Sequence, residues 1–519
     1  MSFRSILLAG TVAAISVAGS PSAFAKSSEQ SQIDALKAQM QSEIDALKQE
    51  VATLKGQQQT TQATTQATQE KVDTAVAAVA KVTPPKGKKG FQIGAVTVTP
   101  GGFIEAAGLY RDKNMTSDVD TKFNAIPFGN SSNSHVDENR FSARQSRLSL
   151  LATSDADSAT HLAAYYEMDF LGAAGTANSN QSNSYNLRIR NIYGTVDWDD
   201  LGLHLLAGQN WSLATMNTKG ITPRNENVPL TIDAQYAVGF DWTRTPQFRI
   251  TKDLLNKSLW LAVSVENPQT TVTGTAPSGA GNLVSNLGGN LFDSNTAYSI
   301  DAAPDIIAKA AWEPGFGHYE VYGIASFERN RVNFNNRTNV AGGVGFGVGL
   351  PIIPTYLDFQ LSGLVGQGVG RYATSQLADA TFGADGSIHP LTSYSLLAGL
   401  VGHPDPSLDI YGYAGIEHAD RTYQSVNGVN YGYGNPAYSN AGCGGNNHIE
   451  GGSLSCTANT RDIMEGTVGF WWKFYQGDFG SARWGTQYEY VARNVWGGVG
   501  GGGTADNNII MTSFRFYPF

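Results

Sequence analysis

The chain has 519 residues, 41% of them hydrophobic and 10% aromatic but only 15% charged, against roughly 25% charged in soluble globular domains. That balance disfavours an ordinary soluble domain, and a formal net charge of −9 argues against nucleic acid as a partner. The 59 Gly, 22 Tyr and 23 Phe suit strands, tight turns and aromatic girdles.

The opening stretch has Arg4, an apolar run from Ile6 to Val17 and the small-residue pattern Ala23-Phe24-Ala25. This is the pattern of a secretory signal peptide cleaved after Ala25, so residues 1–25 are expected to be a leader and the mature chain an exported protein. Residues 26–81 are expected to form a periplasmic α-helical coiled coil. An eleven-residue repeat pairs Ile33 with Ile44, Leu36 with Leu47 and Met40 with Val51. Eleven residues close three helical turns, so the apolar stripe stays on one face. Met40, Ile44, Leu47, Val51 and Leu54 also fit a heptad, and a helix striped in this way implies self-association. The Gln/Thr-rich stretch from Gln57 to Gln69 weakens the coil and reads alternatively as a solvated linker. Residues 82–90 follow as a linker, with Pro84 and Pro85 stopping the helix and Lys86, Lys88 and Lys89 keeping it soluble.

Beyond the leader no uncharged run reaches the ~18 residues of a spanning helix, so membrane insertion must use strands. From residue 91 to 519 the pattern becomes short alternating runs separated by turns. In the run His161–Phe170, Leu162, Ala164, Tyr166, Met168 and Phe170 share one parity, while His161, Ala163, Tyr165, Glu167 and Asp169 share the other. Successive strand side chains point to opposite faces, so this run has an apolar face and an acidic one. The next run places Arg188 and Arg190 on one parity and Leu187, Ile189 and Tyr193 on the other; a third sets Leu203, Leu205 and Ala207 opposite His204, Gly208 and Asn210. Apolar outside and charged inside fits a barrel in lipid with a wet lumen. Further runs begin at Phe103, Phe141, Pro246, Ser258, Asp305, Glu320, Asn339 and Tyr356, then at Thr392, Leu408, Thr467, Arg483 and Ile509. The expected fold is an all-β transmembrane barrel of about 16 antiparallel strands in the outer membrane, preceded by the coil. Residues 112–139, 268–304 and 419–461 read as long outer loops. The terminal Phe519 resembles the signal that barrel-insertion machinery recognises, with Pro518 and the undecided direction of Arg515 as departures from it.

Cys443 and Cys456 stand close together in a Gly/Asn/Ser-rich loop, and in an exported protein they are expected to form one disulfide. No catalytic, cofactor or metal constellation stands out. The glycines from Gly345 to Gly349 lie in a strand without the Lys-Ser/Thr of a phosphate loop, and the eight histidines are scattered. What remains is a charge ladder. Arg188 and Arg190 share a face, Arg249 projects from another strand, and Arg144 and Arg147, three apart on one strand, cannot both face the lumen. Glu105, Glu167, Asp169, Glu266 and Asp358 supply the opposite sign. A field between basic and acidic walls orients polar solutes, and arginine forks suit carboxylates or phosphates; paired charges that merely brace the wall are the plainer reading.

Three blocks, Glu167-Met168-Asp169-Phe170-Leu171-Gly172, Leu187 to Tyr193, and Gly208-Gln209-Asn210-Trp211-Ser212, resemble the DcaP-like family of outer-membrane porins in order and spacing. Arg244-Thr245-Pro246-Gln247-Phe248-Arg249 resembles a further block, and the coil before the barrel matches as well. The resemblance implies a homotrimeric channel for small anionic solutes such as dicarboxylates, joined by the periplasmic coil. By motif position it makes Arg188, Arg190 and Arg249 the expected anion contacts, in a pore lining with Arg144, Glu167 and Asp169. The competing readings are a structural outer-membrane anchor with a coiled-coil tether, and a surface adhesin.

Overall fold

The structure, a computed structural model, describes residues 37–59 apart from 39, 43 and 57, and residues 90–519 apart from 173–185, 286–298, 300 and 445–453. The chain divides into two units, Met1–Thr83 and Pro84–Phe519. In the first, the described residues are helical. Among the described residues, Met40, Ile44, Leu47, Val51 and Leu54 are all exposed, between 43% and 59%. The expected leader, Ile33 and Leu36 of the repeat, and the linker up to residue 89 lie outside the described residues.

In the second unit, nineteen strand segments join one sheet. Phe91–Ile93 and Leu283–Val284 are short flanking pairs, and Glu138–Ser142 with Arg147–Asp155 form one interrupted wall strand, which leaves sixteen staves. In chain order, the first five are β1 (Val96–Arg111), β2 (the interrupted strand), β3 (Thr160–Gly172), β4 (Asn186–Trp198) and β5 (Leu203–Trp211). Next come β6 (Arg244–Leu254), β7 (Leu259–Glu266), β8 (Asp305–Trp312), β9 (His318–Val332), β10 (Asn335–Ile353) and β11 (Leu357–Gln367). The last are β12 (Thr392–Asp405), β13 (Leu408–Ala419), β14 (Thr460–Gly477), β15 (Gly480–Val495) and β16 (Thr504–Tyr517). Every neighbour pair is antiparallel, and β16 returns to β1 from Ile104↔Phe516 to Arg111↔Ile509, which closes the ring of sixteen staves. All sixteen alternating runs of the sequence are wall strands.

Alternation sorts the faces. On β6, Phe248 and Ile250 are exposed while Gln247, Arg249 and Thr251 are buried; on β1, Ile104 and Tyr110 face out while Glu105 and Arg111 face in. Among the described residues no helix is long and apolar enough to cross a membrane; the apolar outer wall suits crossing by strands.

Two register shifts correct the parity expected from sequence. On β4, Glu167 pairs with Asn191 and Met168 with Ile189, so Arg190 is an extra residue. Arg190 and Asn191 both turn inward, and the phase change puts Tyr193 inside rather than among the lipid-facing residues. On β2, residues 143–146 oppose only 104–106 of β1, because Ser142 pairs with Ala107 and Arg147 with Phe103. The additional residue breaks the continuous strand expected from Phe141. It also lets both Arg144 and Arg147 reach inward carboxylates, Asp118 at 3.1 Å and Glu167 at 3.7 Å.

One barrel end carries short turns. There, His161, His204, His318 and His403 each lie between two carboxylates and tie neighbouring staves together. The other end carries the three expected long loops and two that the sequence reading passed over, residues 212–243 and 368–391.

Candidate functional site

The 212–243 segment, here the inner loop, does not stay outside the barrel. Its backbone N–H groups are claimed by side chains on two opposed arcs of the inner wall. On one arc, Leu213 N–H donates to Glu266 at 2.8 Å, Asn217 N–H to Glu320 at 3.1 Å, and Lys309 Nζ donates to the Thr215 carbonyl at 2.7 Å. On the other, Leu230 N–H donates to Tyr413 Oη at 3.0 Å, Ile232 N–H to Gln487 at 2.6 Å, Val238 N–H to Glu465 at 2.6 Å and Gly239 N–H to Glu417 at 2.8 Å. The loop therefore crosses the lumen and narrows it. A loop inside a barrel must have its backbone groups satisfied by protein, and here the wall does so.

Glycines let the loop lie close. A Cβ at Gly415 of β13 would overlap the Val238 carbonyl, and one at Gly347 of β10 would meet Met216. The Gly345–Gly349 run thus keeps the lumen side of β10 small. Residues 368–391 prop the loop from above: Trp242 N–H donates to the Tyr372 carbonyl at 2.6 Å, and its indole N–H to Thr374 at 2.8 Å.

Where the loop meets β3 to β6, arginines gather. Arg188 forks onto Asp169 at 2.9 and 2.7 Å and keeps a side chain 32% exposed. Arg190, 2% exposed, donates to Glu167 at 2.6 Å, Asp169 at 3.1 Å and the Tyr236 hydroxyl at 3.1 Å. Arg144 pairs with Asp118 and donates to the carbonyls of Phe170 and Gly172. Arg249 is buried, its guanidinium donating to Gln247 at 3.0 Å and to the Trp211 carbonyl at 2.6 Å, which ties down the start of the inner loop. Glu105, named from the sequence with the acidic set, bonds Arg515 at 2.8 Å, so Arg515 faces inward.

Arg244, the first residue of the Arg244–Arg249 block, is held differently from the arginines above. Its guanidinium lies 4.9 Å from the Trp211 ring and 4.8 Å from the Trp242 ring. Among the described residues it has no carboxylate partner, and its buried Nη1 has no acceptor. Trp211, Tyr236 and Trp242 pack edge-on or tilted around it, with centroids between 5.2 and 5.8 Å. Tyr236 sits at φ 74°, a left-handed conformation that costs a tyrosine energy and is held by this packing. Burial alone would raise its phenol, but Arg190, Arg244 and Arg147 outweigh it and bring the pKa down to about 8. Across the loop the sign reverses: burial pushes Asp241 up to about 8, with Glu417 adding to the rise, and burial also raises Asp233.

Below the inner loop, towards the short turns, a cavity of about 980 Å³ is lined by Lys219, Glu226 and Leu230 of the loop and by His318, Asp358 and His403 of the wall. In the long-loop end, Cys443 and Cys456 form a disulfide with Cα atoms 4.8 Å apart. The sequence reading places Arg244 and Trp211 in resemblance blocks without a role and does not single out the inner loop or Trp242. The one signal for them was a 32-residue interval between β5 and β6 with apolar residues along it.

No family model matches the chain, and no curated protein matches it in sequence. Solved structures do resemble it. The outer membrane channel DcaP of Acinetobacter baumannii matches with a TM-score of 0.57 at 17% identity, over 83% of this chain and 100% of that one. An anion-selective porin from Comamonas acidovorans matches at 10% identity over 81% of this chain and 99% of that one, with a TM-score of 0.43. OprB of Pseudomonas putida matches at 10% identity over 80% and 94%, also with a TM-score of 0.43. The likeness to DcaP shows the barrel fold, and it falls on the family whose sequence blocks this chain resembles.

Proposed function

We propose that this chain is an outer-membrane porin that passes small hydrophilic solutes by passive diffusion, with a preference for carboxylate-bearing anions. The observation that carries this reading is Arg244. Around the narrowed lumen, five guanidiniums (Arg144, Arg147, Arg188, Arg190 and Arg244) stand among Asp118, Asp120, Glu167 and Asp169. Burial raises the Asp120 carboxyl above its ordinary value. Arg190 and Arg249 are consumed by internal bonds and brace the wall, whereas Arg244 and the exposed edge of Arg188 are left to meet a solute. An arginine edge presents paired N–H donors that match a carboxylate. The loop forces passing solutes close to that edge, and the cavity beneath receives them. Such a path selects by charge and orientation and needs no covalent chemistry.

The exposed seam from Met40 to Leu54 supports self-association, which we propose yields a homotrimer with the coil in the periplasm. A bare apolar stripe on a water-facing helix is satisfied when copies of it pack together. Planar-bilayer recordings test the porin reading: stepwise conductance and an anion-selective reversal potential are expected, and a folded preparation without conductance would refute it. Deleting Ile33 to Leu54 and measuring mass in detergent tests the coil; an unchanged trimer would assign assembly to the barrel walls.

A further inference from the structure

Arg244 has a counterpart on the far side of the inner loop. Trp471 of β14 is fully buried on the inner face, and its indole N–H donates to the Leu230 carbonyl of the loop at 2.7 Å. Against its ring, at 4.2 Å, lies the guanidinium of Arg483, which is also 4.9 Å from the Tyr517 ring. Arg483 makes no ion pair among the described residues, and its buried Nε–H has no acceptor. The nearby Glu105 takes Arg515 and Ser513 on Oε1, and its buried Oε2 has no hydrogen-bond partner, so it does not pair with Arg483.

The two arginines share one design. Aromatic rings attract the flat face of a guanidinium and hold it planar without cancelling its charge. What stays available is the edge, whose donors require acceptors. Their positions differ. Arg244 opens β6 at the long-loop end of the barrel, and Arg483 lies three residues into β15, next to the short turn that precedes it. Between them, Arg190 and Arg147 both reach Glu167, and Arg147 and Arg515 both lie over the Phe103 ring, at 5.3 and 4.7 Å. Arg515 in turn lies 4.6 Å from Trp471. Guanidiniums, ion-paired at Arg190, Arg147 and Arg515, thus follow one another along the wall from one unpaired arginine to the other.

We propose that Arg483 is a second oxyanion station, on the short-turn side of the inner loop, which takes a carboxylate or phosphate group edge-on. This inference rests on the anion-porin reading and adds a site to it. Two weak stations in series allow a solute to be held at the narrowing and still leave, as conduction through a charged pore requires.

The test is block of chloride current through the full-length protein in planar bilayers, with succinate and inorganic phosphate as separate probes. Losing a charge-assisted fork is expected to raise the half-blocking concentration of succinate about tenfold in Arg483→Gln. Arg483→Lys keeps the charge but not the planar fork, and is expected to retain chloride selectivity without restoring succinate block. Equal weakening with phosphate marks a station for any oxyanion; weakening confined to succinate marks one for carboxylates. A parental half-blocking concentration in Arg483→Gln, or in Arg483→Lys should the glutamine variant not fold, overturns the proposal. If Arg244→Gln then still loses block, the porin reading survives without the second station. A parent channel that prefers cations overturns both.

Discussion

Replacing Arg190 by alanine is expected to cost stability, whereas replacing Arg244 by glutamine is expected to cost selectivity. Arg190 is 2% exposed and bonds two carboxylates and the Tyr236 hydroxyl. Removing one partner of a buried ion pair typically costs about 3–5 kcal/mol, because the remaining charge stays buried. Here the remaining groups keep some cover: Glu167 retains Tyr165 at 2.9 Å and Asn191 at 3.2 Å, and Asp169 retains the Arg188 fork. The expected loss therefore falls at the lower end, about 3 kcal/mol, or roughly two decades in the folded-to-unfolded ratio. Arg244 leaves no carboxylate behind, so its loss removes ring contacts worth about 1 kcal/mol. Urea titration in detergent, followed by tryptophan fluorescence, reads the first effect as a lowered midpoint. Reversal potential in a salt gradient reads the second as a shift towards cations. An Arg190→Ala midpoint equal to that of the parent, or an unmoved reversal potential in Arg244→Gln, refutes the division of labour drawn between these arginines.

The seating of the inner loop offers three further tests. Gly415→Ala pushes a methyl group into the Val238 carbonyl and is expected to displace the loop, raising single-channel conductance while the strands remain folded; parental conductance would show that the loop is held elsewhere. Burial holds Asp241 protonated up to about pH 8, so the stability it lends the seated loop is full below the ordinary carboxylate pKa and fades as pH rises towards 8. Asp241→Asn should flatten that slope in protease sensitivity of the loop, and an unchanged slope would assign it to other groups. Reducing Cys443–Cys456, which closes a segment with a sequence separation of 13, should loosen residues 420–459 by up to about 3 kcal/mol without lowering the barrel's unfolding midpoint. Equal cleavage rates with and without reductant would count against any such role.

Much of the barrel was legible because its signal is local. Period-two alternation shows within five or six residues whether a strand has an apolar and a polar face, and all sixteen staves carried that mark. Parity failed where a count had to be made against a neighbouring strand. Whether Tyr193 points in or out depends on how many residues of β4 oppose those of β3, and the extra Arg190 is visible only in the pairing. Arg144 and Arg147 follow the same logic, since four residues of β2 face three of β1.

The candidate site was less legible for a deeper reason. Arg244 and Arg249 lie five residues apart in one sequence block, and their types do not distinguish them. Their neighbours do: Trp211 and Trp242 leave Arg244 charged and unpaired, while Gln247 and the Trp211 carbonyl absorb Arg249. The inner loop is held by Tyr413, Glu417, Glu465 and Gln487, which lie 178 to 255 residues beyond the loop residues they bond. By itself the sequence determined a lipid-facing wall, its strand count and the sign of its inward charges, because alternation is written within each strand. Only the tertiary structure decided which segment enters the lumen and which arginines stay unpaired there, because those outcomes depend on contacts between strands brought together by closing the barrel.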